Sequence, residues 1–268
     1  MHTGEVYEAS VRLHEQHRLG PDVQKLVVET ERGRLVGILE FPGPGGPHPV
    51  VLLFHGSPAT KEGLAEETAR YLIRGLATMR MDLPGFGETT VPMTLTPADA
   101  EILKELVTAV LRHDRVDPKG VGGVGWSSGP WYAAQLAARD PRVRAVVSLG
   151  GSLKMHDERW YINDMFWGPA GHAYQEARWK AGAVPSPEPL TWSPDSSVYD
   201  VAHQIRCPVL LVYSALELPR VGEQAQELAA LVPTATIRAW HTGVHAMLNS
   251  SEALEDAAEW MKQQLAGP

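Results

Sequence analysis

Apolar positions along this chain alternate between two spacings. Residues 50–54, VVLLF, form an unbroken apolar run that ends at His55-Gly56. Similar short runs cover Ala77 to Met81, Val121 onward, Val143 to Leu149, Cys207 to Tyr213 and Thr234 to Trp240. Continuous runs of this length suit strands buried on both faces of a sheet. Between them, apolar residues recur at helical spacing. Such segments run from about Lys61 to Gly75, from Pro97 to about His113, and from Ser127 to Arg139. Two more cover Val221 to Leu231 and Ser250 to Leu265. Thr96 and Pro97 form an N-cap and first-turn pair. Upstream, residues 25–42 read as two short strands around a Glu31-Arg32-Gly33 turn. Strands alternating with helices predict an α/β fold, with a mostly parallel central sheet and helices on both faces.

Residues 151–205 break the alternation. The stretch between 152 and 197 holds seven of the chain's 19 aromatics (8 Trp, 7 Tyr and 4 Phe in all). A single domain over residues 1–268 is expected, with a lid or cap inserted at about 152–205. An aromatic lid would give a water-poor pocket suited to a hydrophobic or ring-bearing small molecule. Trp160, Tyr161, Phe166 and Trp167 are its candidate lining. Trp126 and Trp131 could reach the pocket from beside the sheet.

Composition narrows the function classes. The 268 residues are 44% hydrophobic and 21% charged, ordinary for a globular chain. With 24 basic against 32 acidic residues the net charge is −8, and no Lys/Arg run exists, so no nucleic-acid partner is expected. No apolar stretch reaches the ~18 residues of a membrane span, and residues 1–20 lack the apolar core of a signal peptide. A cytoplasmic protein with no membrane partner is expected. The one cysteine, Cys207, allows neither an intramolecular disulfide nor a CxxC-type metal cluster. A homodimer is left open.

The sharpest chemical signal is Gly125-Trp126-Ser127-Ser128-Gly129. This G-x-S-x-G follows a strand and opens a helix, the context in which a serine hydroxyl is lifted out of a sheet on a strained turn. The helix N-terminus beside it favours negative charge. Serine is a weak nucleophile and needs a base held by a third group. His245, in the loop between the last strand and the last helix, is the candidate base, preferred over His241. Glu217 is the one acid in the loop after CPVLLVY and is the candidate orienting carboxylate. Asp157 or Glu158 is the alternative. The backbone amides of Ser57 and Ser128 are the candidate oxyanion donors; Pro58 has no N–H to offer. Asp82 is expected to hold the Pro84–Gly87 loop, and Arg80 to be an ion-pair partner.

Taken together, LLFHGSP, RMDLPGFGET, GVGWSSG, LLVYSALELP and GVHAML resemble the α/β-hydrolase fold superfamily over nearly all of residues 22–265. The branch holding dienelactone-type esterases, the fermentation/respiration switch esterase and the pseudooxynicotine C–C hydrolase looks most similar. The resemblance implies a Ser127–Glu217–His245 serine hydrolase that needs no metal and no cofactor. Three positions depart from the family pattern. Glu217 stands where Asp is commoner, Pro130 follows the second glycine of the elbow, and Ser214 replaces a usual Gly. Expected chemistry is cleavage of an ester, or of a C–C bond beside a ketone, through an acyl-enzyme. A cyclase, lactonase or acyltransferase on the same fold is the alternative. A non-catalytic ligand-binding protein is a minor one.

Overall fold

The computed structural model describes residues 3–56, 59–151, 153, 197–217, 219–242, 245–247 and 249–267. Numbering the described elements in chain order gives α1 Thr3–Arg18, β1 Val23–Thr30, β2 Gly33–Glu40 and β3 His48–Phe54. A 3₁₀ turn, Lys61–Leu64, leads into α2 Ala65–Leu72. Next come β4 Ala77–Met81, α3 Pro97–Leu111, β5 Val116–Trp126, α4 Gly129–Arg139 and β6 Val143–Leu149. A second 3₁₀ turn, Tyr199–Gln204, precedes β7 Val209–Ser214, α5 Pro219–Leu231 and β8 Ala235–Trp240. A last 3₁₀ turn, His245–Met247, and α6 Ser251–Leu265 close the chain.

The strands form one eight-stranded sheet in the order β1-β2-β4-β3-β5-β6-β7-β8. The pairs β1–β2 and β2–β4 are antiparallel; every other pair is parallel. Its central strands are buried on both faces, which is why their sequences are apolar without alternation. Helices α3, α4 and α5 cover one face over a core that includes Phe54, Leu106, Trp131 and Leu211. Helices α2 and α6 cover the other over Val51, Leu53, Val147, Leu210 and Met261. The sheet is therefore a rigid platform whose loops at the strand C-termini can be held in place from both sides.

The inserted segment expected at 152–205 is described only at residue 153 and from 197 onward; the rest of that expectation lies outside the described residues. Two elements differ from the sequence-based reading. Helix α1 was not expected, because its sixteen residues are mostly polar; among its described side chains Val11 is buried and Leu13 is exposed. It is anchored by polar contacts instead. His14 meets Arg80, and Glu15 pairs with Lys25 at 2.5 Å. Strand β5 starts at Val116 rather than at Val121, running through Asp117-Pro118-Lys119-Gly120, which reads locally as a turn. The pairing with β3 is irregular across that stretch, and Asp117, Pro118 and Lys119 are not buried, so the proline breaks no interior ladder. Among the described residues no helix is long and apolar enough to cross a membrane.

Candidate active site

Ser127 follows the last residue of β5, on the turn into α4. Its φ is +57°, in the left-handed region that is strained for a side-chain-bearing residue, at roughly 1–3 kcal/mol. Close packing of glycines holds it there. A Cβ on Gly125 would lie 2.2 Å from the Pro130 nitrogen, and one on Gly129 2.2 Å from the Phe54 carbonyl oxygen. A Cβ on Gly56 would lie 2.7 Å from that of Ser127. Pro130 fits in the first turn of α4, where its missing N–H leaves no bond unmade. The Ser127 N–H donates to the Leu149 carbonyl, tying the elbow to the end of β6.

His245 stands in the 3₁₀ turn after β8. Its Nε2 is 2.7 Å from the Ser127 hydroxyl oxygen. Its Nδ1 bonds Oε1 of Glu217. An ionised carboxylate only accepts, so Nδ1 donates and Nε2 is left to accept from the serine hydroxyl. Glu217 is nearly buried, with its side chain 6% exposed, whereas the His245 side chain is 40% exposed. The two residues after His245 are strained as well: Ala246 and Met247 have φ of +56° and +60°. Both are buried, Met247 fully, and that packing supports the conformation.

Ser214 positions the acid. The carbonyl of Ser214 accepts from the Glu217 N–H at 3.1 Å, and its side-chain oxygen accepts from the Leu216 N–H at 3.1 Å. The Ala215 N–H donates to Trp240 at the end of β8. Gly150 at the end of β6 has φ +55°; a Cβ there would lie 2.7 Å from Ala246 Cα and 3.1 Å from Oε2 of Glu217. A glutamate thus reaches the imidazole where an aspartate is commoner because the wall opposite its extra methylene is glycine. The importance of Gly150 was not read from the sequence, where it looked like any turn former.

Other site expectations have mixed outcomes. His241 is exposed and is not joined to Ser127 or Glu217. Ser128 is buried at the N-cap position of α4, next to Ser127 in sequence, with its backbone at the helix N-terminus. Trp131 is fully buried in the core on the α3–α4 face, edge-on to Tyr132 with ring centroids 4.8 Å apart. Trp126 is buried in the opposite core. Both tryptophans pack into cores of the two helix layers, and the insert they were expected to meet lies outside the described residues. Ser57, Asp157, Glu158, Trp160, Tyr161, Phe166 and Trp167 lie outside the described residues.

A buried polar cluster next to this edge was legible only in part. Asp82, at the end of β4, is fully buried. It accepts from the Lys61 backbone N–H and the Lys61 ammonium, each at 2.8 Å, and from the Glu88 N–H at 2.8 Å. It thereby ties the Pro84–Gly87 loop and the start of the Lys61 turn to the sheet. Glu62 and Glu88 also lie 2.8 Å from the Lys61 ammonium. Burial pulls the Lys61 pKa down, but the surrounding anions outweigh it and the net shift is upward. Arg80 pairs with Glu40 at 3.3 Å. His55 is fully buried. Its Nδ1 lies 2.8 Å from the Gly56 carbonyl oxygen, and its Nε2 accepts from the Leu83 N–H. The chain that leaves β3 is thus pinned to the loop that leaves β4.

Comparison with known proteins agrees with this architecture. A 2,6-dihydropseudooxynicotine hydrolase of Paenarthrobacter nicotinovorans is 31% identical over 113 residues, covering 42% of this chain and 31% of that protein. A peroxisomal succinyl-coenzyme A thioesterase of Mus musculus is 27% identical over 161 residues, covering 60% of this chain and 37% of that one. The chain thus spans about a third of the length of these curated relatives. A crystal structure of a 2,6-dihydroxy-pseudo-oxynicotine hydrolase superposes with a TM-score of 0.75 at 22% identity, covering 98% of this chain and 72% of that one. Residues 50–266 match the alpha/beta hydrolase family, and the chain belongs to that family.

Proposed function

We propose that this protein is a serine hydrolase that cleaves an ester, or a C–C bond next to a ketone, in a small hydrophobic or aromatic substrate. The observation that carries the reading is the bridge made by His245, 2.7 Å from the Ser127 hydroxyl on one side and bonded to the Glu217 carboxylate on the other. Nucleophile, base and orienting acid come from the ends of three different strands of one sheet edge. Two curated relatives named as a hydrolase and a thioesterase lend support.

In this reading Ser127 attacks the substrate carbonyl while His245 Nε2 takes its proton. The Glu217 carboxylate keeps the proton on Nδ1 and stabilises the imidazolium that forms. The Ser57 and Ser128 backbone N–H groups receive the developing oxyanion, Ser128 from the helix N-terminus. His245 then returns its proton to the leaving group, and water, activated by the same imidazole, releases the acid. The half-exposed base and nearly buried acid fit these tasks: the base must meet substrate and water, while the acid acts best where solvent does not weaken it.

A fluorophosphonate probe tests the assignment directly. Covalent labelling should map to Ser127, and Ser127→Ala should lose both labelling and turnover of a panel of aryl and alkyl esters and thioesters. A fall of several orders of magnitude is expected, on the scale of about 10⁶ seen when a triad serine is removed. Its melting temperature should stay near wild type. Ester turnover within tenfold of wild type in the folded variant would sink the proposal.

A further inference from the structure

The described part of the molecule has a cavity of about 360 Å³ at the edge of the sheet opposite to Ser127. Its walls come from the end of α4, the start of β6 and the segment leading into β7. Strand β6 runs from Val143 at the cavity to Leu149, which is paired with Trp126 beside the elbow. Seven residues at about 3.3 Å each separate the two places by roughly 20 Å. The cavity is therefore no part of the reacting site, and nothing inferred from it rests on the serine hydrolase reading.

Its charged lining is one-sided. Arg139, Arg144 and Arg206 face it, with no carboxylate among the described lining residues. Arg139 donates to the Gln135 carbonyl at 3.1 Å and to the Gln135 side-chain oxygen, and its ion pair with Glu101 is long, at 3.6 Å. Arg144 and Arg206 make no ion pair among the described residues. The neighbouring acid, Asp140, is already taken by Arg142 at 2.6 Å. Three guanidinium groups around one concavity are unusual in a chain of net charge −8, because the general field of such a chain is negative. Guanidinium forks match phosphate and carboxylate oxygens in bidentate geometry, and a concave wall strengthens the attraction by excluding water. The Gln204 amide adds a polar group, and Val143 with its apolar neighbours forms the floor.

We propose that this cavity binds a compact small-molecule polyanion, carrying phosphate or carboxylate groups, at a site remote from Ser127. Cys207, the one cysteine of the chain, also lines it and supplies a reporter. Burial pushes its thiol up to about 11, so alkylation is followed at alkaline pH, where enough thiolate forms for shielding to be read.

The test titrates the full chain with inorganic pyrophosphate and, separately, with citrate, by isothermal calorimetry. In parallel, iodoacetamide modification of Cys207 is followed by mass spectrometry. Saturable binding of at least one probe is expected, with severalfold slower alkylation when the probe is bound. In Arg144→Gln/Arg206→Gln, affinity should fall at least about tenfold and the protection should vanish, while the melting temperature stays near that of the wild type. Binding of pyrophosphate alone would identify a phosphate site, and binding of both a site read by charge. If the double variant does not fold, Arg206→Gln alone carries the same comparison, since that side chain is exposed and bonded to no described residue. No saturable binding of either probe, or binding undiminished in the folded variant, overturns the proposal.

Discussion

The parallel half of the sheet and its antiparallel end solve opposite problems. At the carboxyl edge of β3 and of β5 to β8, backbone strain is concentrated. Ser127, Ala246 and Met247 are all left-handed, and Gly56, Gly125, Gly129 and Gly150 leave no room for a Cβ. What holds that strain is apolar: two helix-covered cores on either face of the same strands. At the antiparallel end the load is electrostatic. Lys61, Arg80 and Asp82 are buried together, and α1 closes over them with mostly polar contacts. What holds these charges is redundancy, since Lys61 has three carboxylates within 2.8 Å and Asp82 accepts three hydrogen bonds. A reacting group needs its neighbours fixed in position yet must itself stay reachable. A structural charge needs only to be satisfied. Substitutions at the first region should therefore damage turnover and spare stability, and those at the second should do the reverse.

Glu217→Gln tests the first half of that contrast most severely after the loss of Ser127 itself. The amide keeps the size but no longer stabilises an imidazolium, and it favours the wrong tautomer of His245. Turnover should fall by about 10⁴, as for the equivalent change in serine proteases, with denaturation midpoint nearly unchanged. A loss of less than tenfold would place the orienting acid elsewhere.

Lys61→Met tests the other half. Removing one partner of a buried ion pair leaves Asp82 uncompensated, and a destabilisation of about 3–5 kcal/mol is expected in chemical denaturation. Turnover per folded molecule should change far less than in Glu217→Gln. A stability change under about 1 kcal/mol would show that the cluster relaxes or takes up water when its cation is lost.

How much of this could be read in the sequence follows the same division. The elbow was legible because strand, glycine-flanked serine and helix are consecutive, so local sequence carries the whole geometry. Six strands were legible from apolar runs and the first two from the turn between them, with β5 starting five residues before its run. Glu217 was legible as the one acid in its loop, and His245 as the histidine of its loop set further from the strand end than His241. The role of Gly150 was not, since it depends on Glu217 and Ala246 arriving from remote parts of the chain. Nor was α1, which has no apolar stripe and is recognised only through partners on β1 and β4. Likewise, nothing about Trp131 in the sequence distinguishes a pocket wall from a core residue; only the packing of α4 against α3 and the sheet does.

Gly150→Ala sharpens the point about remote assembly. A methyl group there meets Ala246 Cα at 2.7 Å, which is backbone and cannot swing aside, in a residue already at φ +55°. The His245 turn must shift by a few tenths of an ångström to an ångström. A misplacement on that scale costs about 10²-fold in rate, expected in kcat more than in KM. An unchanged kcat would mean that the turn after β8 tolerates displacement and that the strain at Ala246 and Met247 is incidental.

The smallest expected effect concerns how α1 is held. His14 Nε2 lies 3.2 Å from both terminal nitrogens of the Arg80 guanidinium, which can only donate, so the imidazole there must be the neutral acceptor. The groups around it are mixed. Arg80 itself, Lys61 and Arg18 disfavour a proton on His14, while Glu62 favours one. Burial is the largest influence, and with Arg80 it holds the His14 pKa below its usual value of about 6.5. The folded state therefore binds fewer protons than the unfolded state just below that pH. Stability contributed by this contact is complete above about pH 6.5 and declines as pH falls toward the depressed folded value. Because His14 is half exposed, the decline should be shallow, a few degrees or less in melting temperature between pH 7 and pH 5. His14→Gln keeps an acceptor for Arg80 without a titrating group, so its melting curve should lose this component of the pH dependence while matching wild type at pH 7.5. If wild type and variant shift in parallel across that range, the contact between α1 and β4 does not depend on the charge of His14.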